Sequence, residues 1–164
     1  MTMRGMVAAC VALGSNLDDP KAQVERGFTA LAQLPHTTLI ARSRLYRTPP
    51  WGVIEQPDFI NAVALLETSL PPRGLLEALL AIESRAGRVR GVRNGPRTLD
   101  LDLLLYGDSK LQEPGLDLPH PRLHQRAFVL LPLNDVAPKL EVPGQGRVGD
   151  LLARVDTAGC HAAD

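Results

Sequence analysis

Cysteine is scarce. Only Cys10 and Cys160 occur among 164 residues, and they stand near opposite ends of the chain. They form no CxxC or zinc-type spacing, which excludes a disulfide-stapled scaffold and fits a reducing compartment. Aromatic residues make up only 4%, leaving little to stack on a run of nucleobases. Net charge is also missing: 18 basic residues meet 18 acidic ones, so the domain as a whole has no reason to cling to nucleic acid or an anionic membrane. Lysine is rare as well, with Lys21, Lys110 and Lys139 the exceptions in a basic set that is otherwise arginine. The apolar run behind Met6 is too short for a signal peptide or a span. These absences predict a soluble, cytoplasmic protein whose anion sites, if any, are local. What is present, 45% hydrophobic residues over the length of one ordinary domain, suffices for a single core.

Residues 7–13 form a continuous apolar run closed by Gly14-Ser15-Asn16, the pattern of a buried strand ending in a turn. Asp18 or Asp19 then caps a helix with Pro20 at its first position and Val24, Phe28 and Leu31 on its apolar face. Residues 37–47 alternate as one half-buried strand, with Leu39, Ala41, Ser43 and Leu45 on one face and Ile40, Arg42, Arg44 and Tyr46 on the other. Prolines in residues 48–57 forbid regular structure there. A third strand is predicted over 59–68, then a helix opening at Pro71-Pro72 with Leu75, Leu76, Leu79, Leu80 and Ile82 as its stripe, then a strand over 99–106.

The order β-α-β-β-α-β predicts an α+β protein with a ferredoxin-like core, an antiparallel sheet with both helices on one face. The C-terminal third, with helical stretches near residues 123–131 and 148–155, is expected to cover the other face and complete three α-β-α layers. All 164 residues read as one domain, with 157–164 as a frayed tail.

Chemistry concentrates in residues 87–102. In Leu99-Asp100-Leu101-Asp102-Leu103-Leu104-Leu105, alternation sends Leu99, Leu101, Leu103 and Leu105 to one face and both aspartates to the other. The carboxylates then lie about 7 Å apart at Cα and repel unless a cation sits between them or one takes a proton. Hard oxygen ligands in this arrangement suit Mg²⁺. A pair of solvated polar residues on an exposed strand face is the competing reading. Just upstream, Arg85, Arg88, Arg90, Arg93 and Arg97 fall in a stretch with Gly87, Gly91 and Gly95 and no acid. Such a loop either closes over a polyphosphate or is simply solvated. A carboxylate pair beside an anion-binding loop makes a coherent site for a metal nucleotide, because the two neutralise different oxygens.

Five separated motifs carry a resemblance: Arg47-Thr48-Pro49-Pro50, Gln56-Pro57-Asp58-Phe59-Ile60-Asn61, Gly87-Arg88-Val89-Arg90, Gly95-Pro96-Arg97-Thr98-Leu99-Asp100-Leu101-Asp102 and Pro119-His120-Pro121-Arg122. In this order they are similar to the 6-hydroxymethyl-7,8-dihydropterin pyrophosphokinases of folate biosynthesis. The resemblance implies transfer of the β,γ-pyrophosphoryl unit of ATP to the pterin hydroxymethyl group, with release of AMP. It implies two Mg²⁺ ions held by Asp100 and Asp102, and catalytic phosphate contacts from Arg88 and Arg97. Glu83, Arg90, Leu103, His120 and Arg126 match other ATP-side positions, Glu83 near the ribose. Phe59 and Phe128 match the residues that sandwich the pterin, Asn61 the one that reads its edge, and Thr48, Pro49, Pro50 and Trp51 complete that pocket. Pattern alone would make Phe59 and Phe128 core residues. The loop between Arg90 and Pro96 is one residue shorter than in some members, with Asn94 where those carry tryptophan. No obligate protein partner is implied.

Two other readings use the same residues. A different Mg²⁺-dependent phosphoryl or nucleotidyl transferase would share Asp100 and Asp102 without a pterin pocket. A ferredoxin-like RNA-binding module would use the sheet and the arginine loop, against the charge balance and the few aromatics.

Overall fold

The computed structural model describes residues 5–17, 19–49, 56–87 and 98–163. The chain runs β1 (Val7–Ser15), α1 (Pro20–Ala32), β2 (Thr37–Arg42), β3 (Tyr46–Thr48), β4 (Phe59–Thr68), α2 (Pro72–Arg85), β5 (Asp100–Tyr106), β6 (Leu111–Glu113) and β7 (Leu116–Leu118). A 3-10 turn (Leu123–Gln125), α3 (Ala127–Val136), β8 (Glu141–Val142), β9 (Gly146–Arg147), α4 (Val148–Leu152) and β10 (His161–Ala162) follow. The main sheet has the order β10-β3-β4-β1-β5, with β2 also paired to β4, and its pairings are antiparallel. Taking β2 and β3 as one broken strand gives the ferredoxin-like order expected from the sequence.

Strict alternation along the two central strands builds two cores. Ala9, Val11 and Leu13 of β1 and Ile60, Ala62, Ala64 and Leu66 of β4 meet Val24, Phe28 and Leu31 of α1 and Leu75, Leu79 and Ile82 of α2. Cys10 and Val63 point the other way, onto Val129, Leu130 and Leu133 of α3 and Val148 and Leu151 of α4. Each such large apolar side chain, fully buried, contributes about 1.5–3 kcal/mol before the entropy of ordering is subtracted. The result is the three-layer α-β-α arrangement, with the C-terminal third supplying the second helical layer.

Local chemistry explains the ends of α1 and its depth. Asp19 sits at φ 62° and accepts the N–H of Ala22 through its carboxylate, with Pro20 following at the first helical position. Gly27 is where α1 presses closest: a Cβ there would lie 2.8 Å from Leu13 Cδ2 and 3.3 Å from Leu99 Cδ1. The helix thus rests against the strand segment that leads into Asp100.

Four expectations are corrected. The alternating segment 37–47 is two strands, because Ser43 interrupts the ladder: its N–H donates to Val63 O at 2.9 Å, while its Oγ accepts the Val63 N–H at 2.8 Å and donates to Arg44 O. The assigned alternation fails earlier, where the register slips between Leu39 and Ala41. After the break Leu45 joins the core under α1 and α2, and Tyr46 is buried on the opposite face, its hydroxyl donating to Asp135 Oδ2 of α3 at 2.7 Å. On β5 the register slips between the pairs Cys10↔Leu105 and Val11↔Leu103, so Leu104 is a bulge residue. Leu105 therefore joins Leu104 in the second core, away from Leu101 and Leu103. Leu80 is 38% exposed and lies off the α2 stripe. The tail expected to fray from Thr157 pairs with the sheet instead: His161 and Ala162 lie opposite Arg47 and Tyr46, and Ala163 donates its N–H to Leu45 O at 2.8 Å. Among the described residues no helix is long and apolar enough to cross a membrane.

Candidate active site

A cavity of about 580 Å³ opens on the α3 side of the sheet, within the size range of small-molecule sites. Its floor crosses the sheet. Asp100 and Asp102 line it from β5, Ala12 and Gly14 from β1, Phe59 and Asn61 from β4, and Thr48 with Pro49 from the end of β3. Arg122, Gln125, Arg126 and Phe128 line it from the 3-10 turn and the start of α3.

The carboxylate end follows from strand geometry. Asp100 pairs with Gly14 and Asp102 with Ala12, so the two acids stand at alternate positions beside residues with little or no side chain. Both are half-buried, while Leu99, Leu101 and Leu103 between and around them anchor the backbone in the helix-side core. Arg126 shares the cavity. Burial pushes its guanidinium pKa down, and the charges of Asp102 and Asp100 oppose that shift. Its Cζ lies 5.5 Å from the centroid of the Phe128 ring, a cation–π contact that ties the charged end to the aromatic one.

The aromatic end is equally specific. Phe59 and Phe128 are half-buried and line the cavity, so neither is simply a core residue. Asn61 donates from Nδ2 to Thr48 Oγ1 at 2.7 Å. Glycine at position 14 accommodates this amide, because a Cβ there would stand 3.0 Å from Asn61 Oδ1. Thr48 was expected only to complete the pocket; its buried hydroxyl is what orients Asn61.

Three sequence candidates lie elsewhere. Glu83 is 2% exposed, and its Oε2 accepts the N–H of Leu101 at 2.7 Å, midway between the two aspartates. Leu103 points into the helix-side core at 5% exposure, so its side chain does not face the cavity. His120 donates its N–H to Leu104 O at 2.9 Å and accepts the Arg122 N–H at Nδ1, which assigns the ring proton to Nε2. Burial, then Arg126 and Arg122, lowers its pKa to about 4 against the opposing charges of Asp117 and Asp100, so the ring is neutral near pH 7. Pro50, Trp51, Arg88, Arg90 and Arg97 lie outside the described residues.

Other residues at the site had no role in the sequence reading. Arg122 and Gln125 line the cavity, as do Asp156, Gly159 and Cys160 from the C-terminal segment. Asn16, 1% exposed, donates from Nδ2 to Gln56 Oε1 at 2.8 Å and to Pro57 O at 3.0 Å. That pair of bonds fastens the end of β1 to the segment entering Phe59. The Gly14-Ser15-Asn16 turn and Gln56-Pro57 were both visible in the sequence, but nothing in it said that they meet.

A cation fits this carboxylate pair. Among the described residues no group of three or more His, Cys, Asp or Glu side chains could hold a metal, which argues against an all-protein cage. Two carboxylate donors at the mouth of a cavity instead suit Mg²⁺, which keeps waters and takes its remaining oxygens from substrate phosphates. The cavity thus joins a place for a cation and polyanion to a place for a flat apolar ring.

Comparison with known proteins places the chain in a family. Residues 10–138 match the family model described as 7,8-dihydro-6-hydroxymethylpterin-pyrophosphokinase. A Pseudomonas aeruginosa protein named 2-amino-4-hydroxy-6-hydroxymethyldihydropteridine pyrophosphokinase is 51% identical over 143 residues, covering 87% of this chain and 88% of the relative. A Methylorubrum extorquens protein of the same name is 44% identical, covering 97% and 100%. Among solved structures, a Plasmodium falciparum HPPK-DHPS chain superimposes with a TM-score of 0.73 at 14% identity; the match covers 91% of this chain but 43% of that one, a likeness of fold alone. With a family match over most of its length and near-full-length relatives above 40% identity, the chain belongs to the 7,8-dihydro-6-hydroxymethylpterin-pyrophosphokinase family.

Proposed function

We propose that this chain transfers the β,γ-pyrophosphoryl group of ATP to the hydroxymethyl oxygen of 6-hydroxymethyl-7,8-dihydropterin, giving AMP and the pterin diphosphate, as a cytoplasmic step of folate biosynthesis. The observation that carries this reading is the union, in one cavity, of the Asp100/Asp102 pair with the Phe59, Asn61 and Phe128 end. The pterin lies between the Phe59 and Phe128 rings, and Asn61, held by Thr48, addresses its amide edge with Oδ1.

Asp100 and Asp102 would hold Mg²⁺, with two ions as the full complement. When bound, the metal supplies charge neutralisation on the triphosphate and polarises the phosphoryl oxygens under attack. Arg126 places a guanidinium beside the same oxygens, and Arg88, Arg90 and Arg97, which lie outside the described residues, would add theirs. His120, neutral with its proton on Nε2, donates to the nucleotide without adding charge. The pterin oxygen attacks the β-phosphorus, the α–β bridging bond breaks, and its electrons leave with AMP. The hydroxyl proton passes to solvent, since no side chain at the site stands out as a general base. Positioning and electrostatics supply most of the rate.

Product analysis tests the reading. Incubation with ATP, Mg²⁺ and 6-hydroxymethyl-7,8-dihydropterin should yield AMP and a pterin diphosphate in equal amounts. ADP as the nucleotide product would overturn it.

A further inference from the structure

The cavity has one wall that the family match does not reach. The match ends at residue 138, yet Asp156, Gly159 and Cys160 line the cavity. The sheet order explains how they come there. β10 pairs with β3 on the side away from β4, so the strands run β5, β1, β4, β3, β10 from the carboxylates outward. The segment just before β10 is thereby brought beside Thr48 and Pro49, at the opposite end of the cavity from Asp100 and Asp102.

This segment is fastened at several points. The Asp156 carboxylate accepts the Ala158 N–H at 2.9 Å, and Thr157 O accepts the Cys160 N–H at 3.0 Å, which folds residues 156–160 into a turn. The turn packs on Pro49: a Cβ on Gly159 would meet Pro49 Cγ and Cδ at 3.6 Å, ordinary van der Waals contact. Beyond it, β10 pairs with β3, Ala163 N–H reaches Leu45 O, and Lys21 Nζ donates to Ala163 O from α1. A segment tied to β3 and to α1 is a fixed element of the site.

We infer that residues 156–160 form the end wall of the pterin site, contacting the pyrimidine end of the bicycle and setting how tightly that end is held. The inference rests on the pterin reading of the cavity. With the hydroxymethyl group directed at the nucleotide beside Asp100 and Asp102, the far end of a flat two-ring molecule lies across β4 and β3 and meets this turn. ATP, bound at the other end, does not touch it.

Cys160 makes the wall observable in the intact chain. It is partly exposed, whereas Cys10 is 1% exposed; burial pushes the Cys10 thiol up to about 12, and burial with the nearby Asp156 raises that of Cys160 as well. A maleimide at mildly alkaline pH therefore labels Cys160, and Cys160→Ala should remove the signal. Labelling is followed with no ligand, with Mg²⁺ and the methylene analogue of ATP, and with the analogue plus 6-hydroxymethyl-7,8-dihydropterin. The expected result is a rate unchanged by the analogue alone and slowed roughly tenfold or more by adding the pterin. In parallel, a chain ending at Val155 should show a pterin KM raised roughly five- to tenfold, the loss of one apolar contact face, with the ATP KM unchanged. Equal labelling with and without pterin, in a chain that does release AMP, would overturn the wall and leave the pyrophosphokinase reading standing. Failure of the intact chain to release AMP would overturn that reading itself. A truncated chain that folds and keeps its pterin KM would also overturn the wall.

Discussion

Asn61 and Thr48 are joined by a 2.7 Å hydrogen bond from the Asn61 amide nitrogen to the Thr48 hydroxyl, across the short β3–β4 pairing. The bond fixes which end of the amide points where, with Nδ2 on Thr48 and Oδ1 toward Gly14. An amide that reads a substrate edge must not flip, because the flipped form presents a donor where an acceptor is needed. Thr48→Val keeps the shape and removes the hydroxyl. We expect a pterin KM raised roughly tenfold, in line with about 1–1.5 kcal/mol for one such bond, with a smaller change in kcat and in the ATP KM. Steady-state kinetics with each substrate varied in turn decides the matter; an equal loss for both substrates would point to misfolding of β3 instead.

Asp100 and Asp102 carry the heaviest chemical assignment. Each is half-buried beside the other, with Arg126 opposing their charge. Asp100→Asn and Asp102→Asn should each cost at least a hundredfold in turnover, as the loss of one preorganised transition-state contact does generally. Neither should lower the melting temperature, because removing one of two neighbouring carboxylates relieves repulsion. Excess Mg²⁺ should restore only part of the rate. Substantial activity in either variant at ordinary Mg²⁺ would remove the metal assignment.

His120 gives a pH dependence whose sign is fixed by burial. Its pKa falls from 6.5 to about 4 in the folded chain, so the unfolded state binds the proton first and stability declines as pH falls from near 6.5 toward 4. Above pH 6.5 the contribution is fully present. The other charges facing the ring are Arg122, Arg126, Asp117 and Asp100. In His120→Gln, the fall in urea midpoint between pH 7 and pH 5 should be shallower than in the parent. Direct titration of the ring carbon by NMR provides the second check, and an unshifted midpoint would refute the burial argument.

Much of this was legible because periodicity reports which face a side chain takes. Val24, Phe28 and Leu31 announced α1, the Asp100/Asp102 alternation announced the carboxylate pair, and the element order announced the sheet. What periodicity cannot report is a register shift. The slip at Leu104 on β5 and the slip between Leu39 and Ala41 on β2 each reversed the faces assigned just downstream, since one extra residue inverts a period of two. The end wall was illegible for a different reason. Residues 156–160 have no periodic pattern, and their place depends on a pairing between β10 and β3 that is long-range in sequence. Phe59 and Phe128 looked like core until the cavity between them was seen.

Glu83 raises the last testable point, because a carboxylate with 2% exposure needs a reason to stay buried. Its Oε2 accepts the backbone N–H of Leu101, the residue between the two aspartates, on the edge of β5 that faces away from β1. That bond holds the strand from the α2 side while the register with Gly14 and Ala12 holds it from the other. Glu83 therefore acts as a positioning residue for the pair. Glu83→Gln keeps an acceptor for Leu101 and should retain most of the turnover. Glu83→Ala leaves the N–H without its acceptor, costing about 1–3 kcal/mol of stability, and lets β5 shift. For the alanine variant we expect kcat lowered and the Mg²⁺ concentration for half-maximal rate raised, with the pterin KM nearly unchanged. A purely structural role would lower the melting temperature without moving the Mg²⁺ dependence of the folded fraction, and a direct nucleotide contact would instead raise the ATP KM in the glutamine variant as well.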